Sequence, residues 1–172
     1  ESDAGARTVP ADDPWNFWVF SLRANANLQA EESSREFDWG VSASADRVTE
    51  AWKMSFGLSS DQTREQFDLD EDDPVRVSRR ERDFDALLVK SFGEHWSAGA
   101  SSSISSSTFD NTKLRLYAAP AIEYNLFPYS AYQRRQLRAQ YALGLERQTY
   151  HEETLFGKLE ETLPSHEFSV TY

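Results

Sequence analysis

The sequence predicts an all-β chain folded as an antiparallel, up-and-down transmembrane β-barrel, with about eight strands visible. Three observations lead to this fold class. Apolar and polar residues alternate with a period of two over long segments. Tight connections alternate with longer, more polar ones. The aromatic residues gather near the ends of the alternating segments, as they do in the interfacial girdles of membrane barrels.

The first strand shows the alternation most clearly. Residues 15–29 place Trp18, Leu22 and Leu28 on one face and Arg23 and other polar residues on the opposite face. Strands of soluble proteins usually have 5 or 6 residues and membrane-spanning strands roughly 9 to 11, so the length itself favours a membrane. The same alternation predicts strands over residues 37–46, 52–59, from 84 onward, 96–105, 114–126, 136–146 and a last one ending at 172.

The lengths of the connections support a membrane barrel. Short turns are expected at 47–51, 92–95 and 127–133, and longer polar loops at 31–36, 66–78, 108–112 and 151–162. This asymmetry is typical of outer-membrane barrels. Two features argue against a membrane barrel. Pro120 lies inside the sixth strand, where it cannot donate a backbone hydrogen bond to a neighbouring strand. The fifth strand has serines at two of the positions on its apolar face. We expect residues 1–14 to be a polar arm and 15–172 to be the barrel domain, either complete or continuing beyond residue 172.

Aromatic residues at the short-turn end form the predicted membrane-interface girdle. Its members are Trp15, Trp18, Trp52, Trp96, Phe127, Tyr129 and Tyr132.

Charged residues that alternate with the apolar ones are predicted to face the lumen. They either line a water path or form a satisfied network that plugs a narrow barrel, because an unpaired buried charge is costly. They are Arg23, Lys53, Arg115, Glu123, Arg138 and Glu146.

Composition narrows the functional classes. The 29 acidic and 18 basic residues give a net charge of −11, which argues against nucleic acid as the main partner because phosphate binding needs clustered cations. The absence of cysteine removes disulfides, thiolate catalysis and cysteine-based zinc sites. The acidic segment 61–73 lacks the spacing of a calcium loop, so we expect a solvated loop and predict no metal or cofactor.

Five motifs carry a family resemblance. They are DPWNFWVF at 13–20, DRVTEAWK at 46–53, VKSFGEHW at 89–96, AIEYNLFPYS at 121–130 and RRQLR at 134–138. With them the chain resembles a family of bacterial outer-membrane β-barrels of unknown function, similar to the salt-stress-induced outer membrane protein.

The resemblance implies a porin-like or scaffold barrel in a Gram-negative outer membrane, with no assigned reaction. Family members continue with further strands, which implies that this chain is a fragment. The alternating, aromatic ending at Phe168, Val170 and Tyr172 favours the other possibility, since it resembles the signal by which small outer-membrane barrels are recognised for assembly.

Three functional hypotheses follow. The first is an outer-membrane barrel with a structural or narrow passive-pore role and no catalysis, whose partners are outer-membrane lipid, lipopolysaccharide and neighbouring outer-membrane or periplasmic proteins. The second is a soluble lipocalin-like barrel that binds a small apolar ligand. The third is a barrel-borne lipid hydrolase using His95, His151 or His166, although no nucleophile elbow is present.

Overall fold

A single antiparallel sheet makes up the fold. The computed structural model describes residues 13–67, 74–128 and 136–172, and in it eight strands pair in sequential order as an up-and-down meander. The described residues contain no helix, so none is long and apolar enough to cross a membrane. The strands are β1 (Trp18–Ala30), β2 (Ser34–Val48), β3 (Trp52–Phe67), β4 (Val75–Phe92), β5 (Trp96–Ser107), β6 (Thr112–Asn125), β7 (Arg138–Tyr150) and β8 (Glu160–Thr171).

The pairing register aligns the alternation of neighbouring strands. Directly opposed residues of an antiparallel pair project to the same side of a sheet. One aligned row consists of Leu22, Ala43, Leu58, Phe84, Ile104 and Leu116, and it belongs to what we call the apolar face. A neighbouring row consists of Arg23, Ser42, Ser59, Asp83, Ser105 and Arg115, and it belongs to the polar face. The prediction of an all-β, antiparallel, up-and-down chain is therefore confirmed.

The polar face is the more buried of the two. On the polar face Ser97, Ala119 and Asn125 are 5%, 4% and 2% exposed, whereas Ile122 and Leu145 on the apolar face are 49% and 55% exposed. No second layer covers either face within the described residues, so the difference indicates that the sheet curves toward its polar side. The sheet remains open, since β1 and β8 do not pair in this part of the chain.

Several strands are longer than the alternation predicts. β3 continues to Phe67, β4 begins at Val75 and β8 begins at Glu160, so strand residues replace much of the predicted long loops. The connection between β6 and β7, which we expected to be tight, spans residues 126–137. The difference between short and long connections is thus weaker than predicted. In the extra strand residues both faces are largely polar, which leaves no hydrophobic period to detect.

Pro120 lies on the apolar face of β6, where the sequence predicts a disturbed ladder. It pairs with Ala100 of β5, but neither Ala119 nor Pro120 pairs with β7, although Ala118 and Ala121 on either side do. The missing pairs indicate that the backbone of Pro120 points toward β7, where a proline has no hydrogen to donate.

Glycines on the polar face differ in how closely neighbouring atoms approach them. A Cβ added to Gly99 would lie 2.5 Å from the carbonyl oxygen of Leu88 and 3.0 Å from Cγ2 of Val89. A Cβ added to Gly57 would meet nothing within 4 Å. Of these two glycines, Gly99 is therefore the one that close packing against neighbouring backbone requires.

We predict that Gly99→Ala lowers the free energy of unfolding by about 1–3 kcal/mol, because the new methyl group overlaps backbone atoms that cannot rotate away. Gly57→Ala is the matched control, and it should leave stability unchanged or raise it slightly. Urea titrations followed by tryptophan fluorescence would measure both. Equal stability of the two variants would contradict the close packing around Gly99.

Candidate functional site on the polar face

A cavity on the polar face brings together residues from β3 to β8. It has a volume of about 350 Å³, and three of its lining residues, Lys53, Glu123 and Arg138, are among the predicted lumen-facing charges. Tyr117 and Glu167 also line it. The small residues of β5 that line the cavity leave space for these longer side chains. They are Ser97, Gly99, Ala100 and Ser101. Leu87, Val89 and several alanines also line the cavity, so its charged groups lie beside an apolar surface.

Two ion pairs join β6 and β7. Nη1 of Arg138 lies 3.6 Å from Oε2 of Glu123, and Nε of Arg115 lies 3.6 Å from Oε1 of Glu146. In both pairs the partners are diagonal neighbours in the register, since Glu123 opposes Gln140 and Arg115 opposes Gln148. The carboxylates are 19% and 29% exposed, so each pair is shielded on the acidic side. Four of the six predicted lumen charges therefore neutralise one another in pairs.

The other two predicted lumen charges have no carboxylate within 4.0 Å among the described residues. Lys53 faces the cavity described above. Arg23 lies in a separate cavity of about 230 Å³ on β1–β4, lined also by Ser42, Ser59 and Asp85. In the pairing register the six residues lie on one face of the sheet, and among the described residues they divide into two ion pairs and two cations without a carboxylate within 4.0 Å.

Side-chain hydrogen bonds also link neighbouring strands on the polar face. Ser55 Oγ donates to Oδ1 of Asp46 at 2.5 Å, which links β3 to β2. Near the other end of the strands, Gln148 Nε2 donates to Oγ1 of Thr112 at 2.9 Å, and both residues are buried. These bonds satisfy groups that burial would otherwise destabilise.

The N-terminal part of the predicted girdle is held by a hydrogen-bonded turn. Asp13 accepts hydrogen bonds from the backbone N–H groups of Trp15 and Phe17 at 3.0 and 2.6 Å. Arg47 of β2 donates to the carbonyl oxygen of Asn16 at 2.9 Å, and Asn16 and Phe17 both have positive φ. The turn thereby fixes Trp15, which is 63% exposed, next to the apolar face.

Other girdle residues also contact aromatic or cationic neighbours on the apolar face. Trp18 stacks on Phe56 with ring centroids 6.2 Å apart, and the ammonium group of Lys90 lies 5.3 Å from the ring centroid of Trp52. Trp96 packs against Tyr124 at 4.8 Å. Phe127 follows β6 in a bend and is half-buried. Tyr129 and Tyr132 lie outside the described residues.

The three histidines lie apart from one another. His95 occupies the turn between β4 and β5, where its Nδ1 lies 2.7 Å from the carbonyl oxygen of Asn125. His151 follows β7, and His166 lies on β8 near the ring of Tyr141, at 6.3 Å. Among the described residues no serine hydroxyl is hydrogen-bonded to a histidine, so the geometry adds nothing to the hydrolase hypothesis.

The acidic segment predicted as a loop is only partly a loop. Asp61 and Glu65 belong to β3, whereas residues 68–73 lie outside the described part of the chain. No group of three or more carboxylates or histidines that could hold a metal ion occurs among the described residues.

Tyr117 and Glu167 are two polar residues of the cavity that the predicted set lacks. Tyr117 was overlooked because only charged residues were considered, although it alternates correctly within β6. Its ring lies 3.1 Å from where a Cβ of Gly144 would be, so it covers that glycine. Glu167 was overlooked because only the end of β8 showed a clear period, yet its position before Phe168 already places it on the polar face.

Comparisons of the chain with protein-family models, with curated proteins and with solved structures give no match.

We predict that Glu123 and Arg138 are coupled. The single variants Glu123→Gln and Arg138→Gln should each destabilise the fold, whereas the double variant should be more stable than the sum of their effects implies, by about 0.5 kcal/mol. Urea titrations of the four proteins would measure the coupling. Arg23→Gln combined with Glu123→Gln is the control, and its effects should add, because Arg23 has no described ionic partner. Strict additivity in the first cycle would contradict the ion pair.

Proposed function

We propose that the chain is a membrane-embedded part of a β-barrel in a bacterial outer membrane, with a structural or narrow passive-pore role and no catalysis. The observation that carries this proposal is the distribution of side chains on the curved sheet. The apolar face lies on the outside of the curve and is exposed, while the polar and charged face lies on the inside and is the more buried.

The extent of the exposed apolar face supports a lipid environment. Leu22 on β1, Leu143 on β7 and Phe168 on β8 are 77%, 53% and 66% exposed, and similar residues lie on the strands between them. Soluble monomers rarely expose contiguous apolar patches beyond a few hundred Å². In a membrane, the acyl chains of lipids would contact this apolar face. The alternating polar side chains on the opposite face would then line the lumen, as in other membrane barrels.

The lipocalin-like hypothesis requires the opposite arrangement. A soluble barrel that binds an apolar ligand directs its apolar side chains inward, where the ligand lies. Here Lys53, Glu123, Arg138 and Glu167 line the cavity beside Leu87 and Val89, while most large apolar side chains are exposed on the opposite face. In the proposed barrel, backbone groups at the edges of β1 and β8 must find partners, either in each other or in further strands, because lipid cannot satisfy them.

We predict that adjacent residues of β7 differ in contact with lipid. The chain has no cysteine, so Leu143→Cys and Ala142→Cys each introduce a single site for a fluorophore, on the apolar and polar faces respectively. In vesicles of brominated phosphatidylcholine, the dye at position 143 should be quenched strongly and the dye at position 142 weakly. Each variant controls for the depth and folding of the other.

The reverse pattern would contradict the assignment of the apolar face to lipid. Failure of the chain to associate with vesicles, together with a folded monomer in plain buffer, would sink the membrane proposal altogether.

The passive-pore hypothesis makes its own electrical prediction. Carboxylates outnumber cations on the polar face of β2–β4, where acidic residues include Asp61, Asp83 and Asp85 and where Lys53 and Arg79 are basic. We therefore expect any current across a planar bilayer to prefer potassium over chloride, measured as the reversal potential in a KCl gradient. The double variant Asp83→Asn/Asp85→Asn should reduce this preference. An absence of current at every voltage would leave the structural role alone.

A further inference from the structure

Five arginines project from the apolar side of β2, β3 and β4, at the end of these strands that leads to the β3–β4 connection. All five are exposed. We call them the arginine belt, and they are Arg35, Arg64, Arg76, Arg80 and Arg82.

The register places the belt residues within reach of one another. Arg76 and Arg80 flank Ser78 on β4, and Ser78 pairs with Arg64 of β3. Alternate residues of a strand are roughly 6.6 Å apart and diagonal neighbours about 7–8 Å, distances that two flexible arginine side chains easily bridge. Several guanidinium groups can therefore converge on one anion.

The acidic residues near the belt lie on the opposite face of the sheet. The carboxylates alternate with the belt arginines and so point to the polar side. They are Glu36, Asp38, Asp61, Glu65, Glu81, Asp83 and Asp85.

No belt guanidinium lies within 4.0 Å of a carboxylate oxygen in the described part of the chain, in contrast to two other arginines. Arg79, on the polar face, lies 3.2 Å from Glu65. Arg147, on the apolar side of β7, lies 3.0 Å from Glu160. In a chain of net charge −11, the belt is thus a cluster of cations without an internal counter-charge among the described residues.

The belt directly adjoins apolar side chains. On β4, Arg82 is followed on the same face by Phe84, where the row of apolar residues begins. A cavity of about 360 Å³ at this end is lined by Arg35, Arg64 and Arg76 together with Leu28 and Phe37. Glu36 and Glu65 also contribute to the lining, although the register directs their side chains to the polar face. A ligand here would place an anionic group beside the guanidinium groups and an apolar group beside the leucine and phenylalanine.

We propose that the arginine belt binds the phosphate groups of lipid headgroups at the membrane boundary. Arginine matches phosphate oxygens with two parallel hydrogen bonds, and lipid phosphates lie next to acyl chains just as the belt lies next to the apolar face. A nucleic acid would instead meet an acidic protein and apolar neighbours. This inference rests on the proposed function, since it requires the apolar face to lie in lipid.

The test places a fluorophore inside the belt. Ser60→Cys introduces the only thiol, on the apolar side of β3 and paired with Arg82. The labelled chain is reconstituted in phosphatidylcholine vesicles that contain a minor fraction of a phosphorylated glycolipid, with either lipid brominated in turn. Stronger quenching by the brominated glycolipid than its share of the membrane predicts would measure its enrichment around the belt.

We expect clear enrichment, reduced roughly tenfold or more in the triple variant Arg64→Gln/Arg80→Gln/Arg82→Gln, because each arginine near an anionic lipid surface contributes appreciably to binding. Arg147→Gln in the same labelled background is the matched control, and enrichment should persist because this arginine already has a carboxylate partner. Replacement of the three belt residues by lysine should retain part of the enrichment, since charge remains but the paired hydrogen bonds are lost.

Three outcomes would overturn the inference. Equal enrichment in the parent and triple variant shows that the belt does not select the lipid. Loss of enrichment on addition of inorganic phosphate shows that the belt takes free phosphate. An absence of quenching by either lipid, at position 60 and also at position 143, shows instead that the face is not in lipid, and then the proposed function fails as well.

Discussion

The register between neighbouring strands is the constraint on which every other property of this chain depends. Side chains alternate with a period of two, so a slip of one residue between any two strands would move a whole set of apolar side chains to the other face. Among the described strands the register is continuous from β1 through β5, and it shifts only between Ser105 and Ser107 at the end of β5 and between Thr112 and Leu114 at the start of β6. Both the cavity and the arginine belt are therefore assembled by backbone pairing rather than by a hydrophobic core.

The near absence of a core supports the same view. Among the described residues only Ala119 is a buried hydrophobic, whereas the buried polar residues include Gln62, Ser97 and Asn125. In an ordinary soluble domain most buried residues are hydrophobic and few are polar. Stability must come largely from the hydrogen-bonded ladder, from polar contacts on the inner face and, under the proposed function, from the surrounding lipid.

Alternation made the strands and their faces predictable from sequence, but it could not supply their ends or partners. β1 and β7 are close to expectation because apolar and polar residues alternate throughout. The outer half of β4 was missed because Arg76 and Arg80 on one face and Arg79 and Glu81 on the other carry no hydrophobic period. The pairing of Glu123 with Arg138 depends on the offset between β6 and β7, which no local pattern of residues determines.

Pro120 interrupts the backbone pairing between β6 and β7. Because Ala119 and Pro120 leave the ladder to β7 unpaired, the hairpin of β7 and β8 is joined to the other six strands by fewer backbone bonds than a regular ladder of this length provides. Local opening transitions concentrate where backbone bonding is sparse. Amide groups beside Pro120 at the boundary between β6 and β7 should therefore exchange with solvent sooner than those of the uninterrupted ladders between β1 and β4.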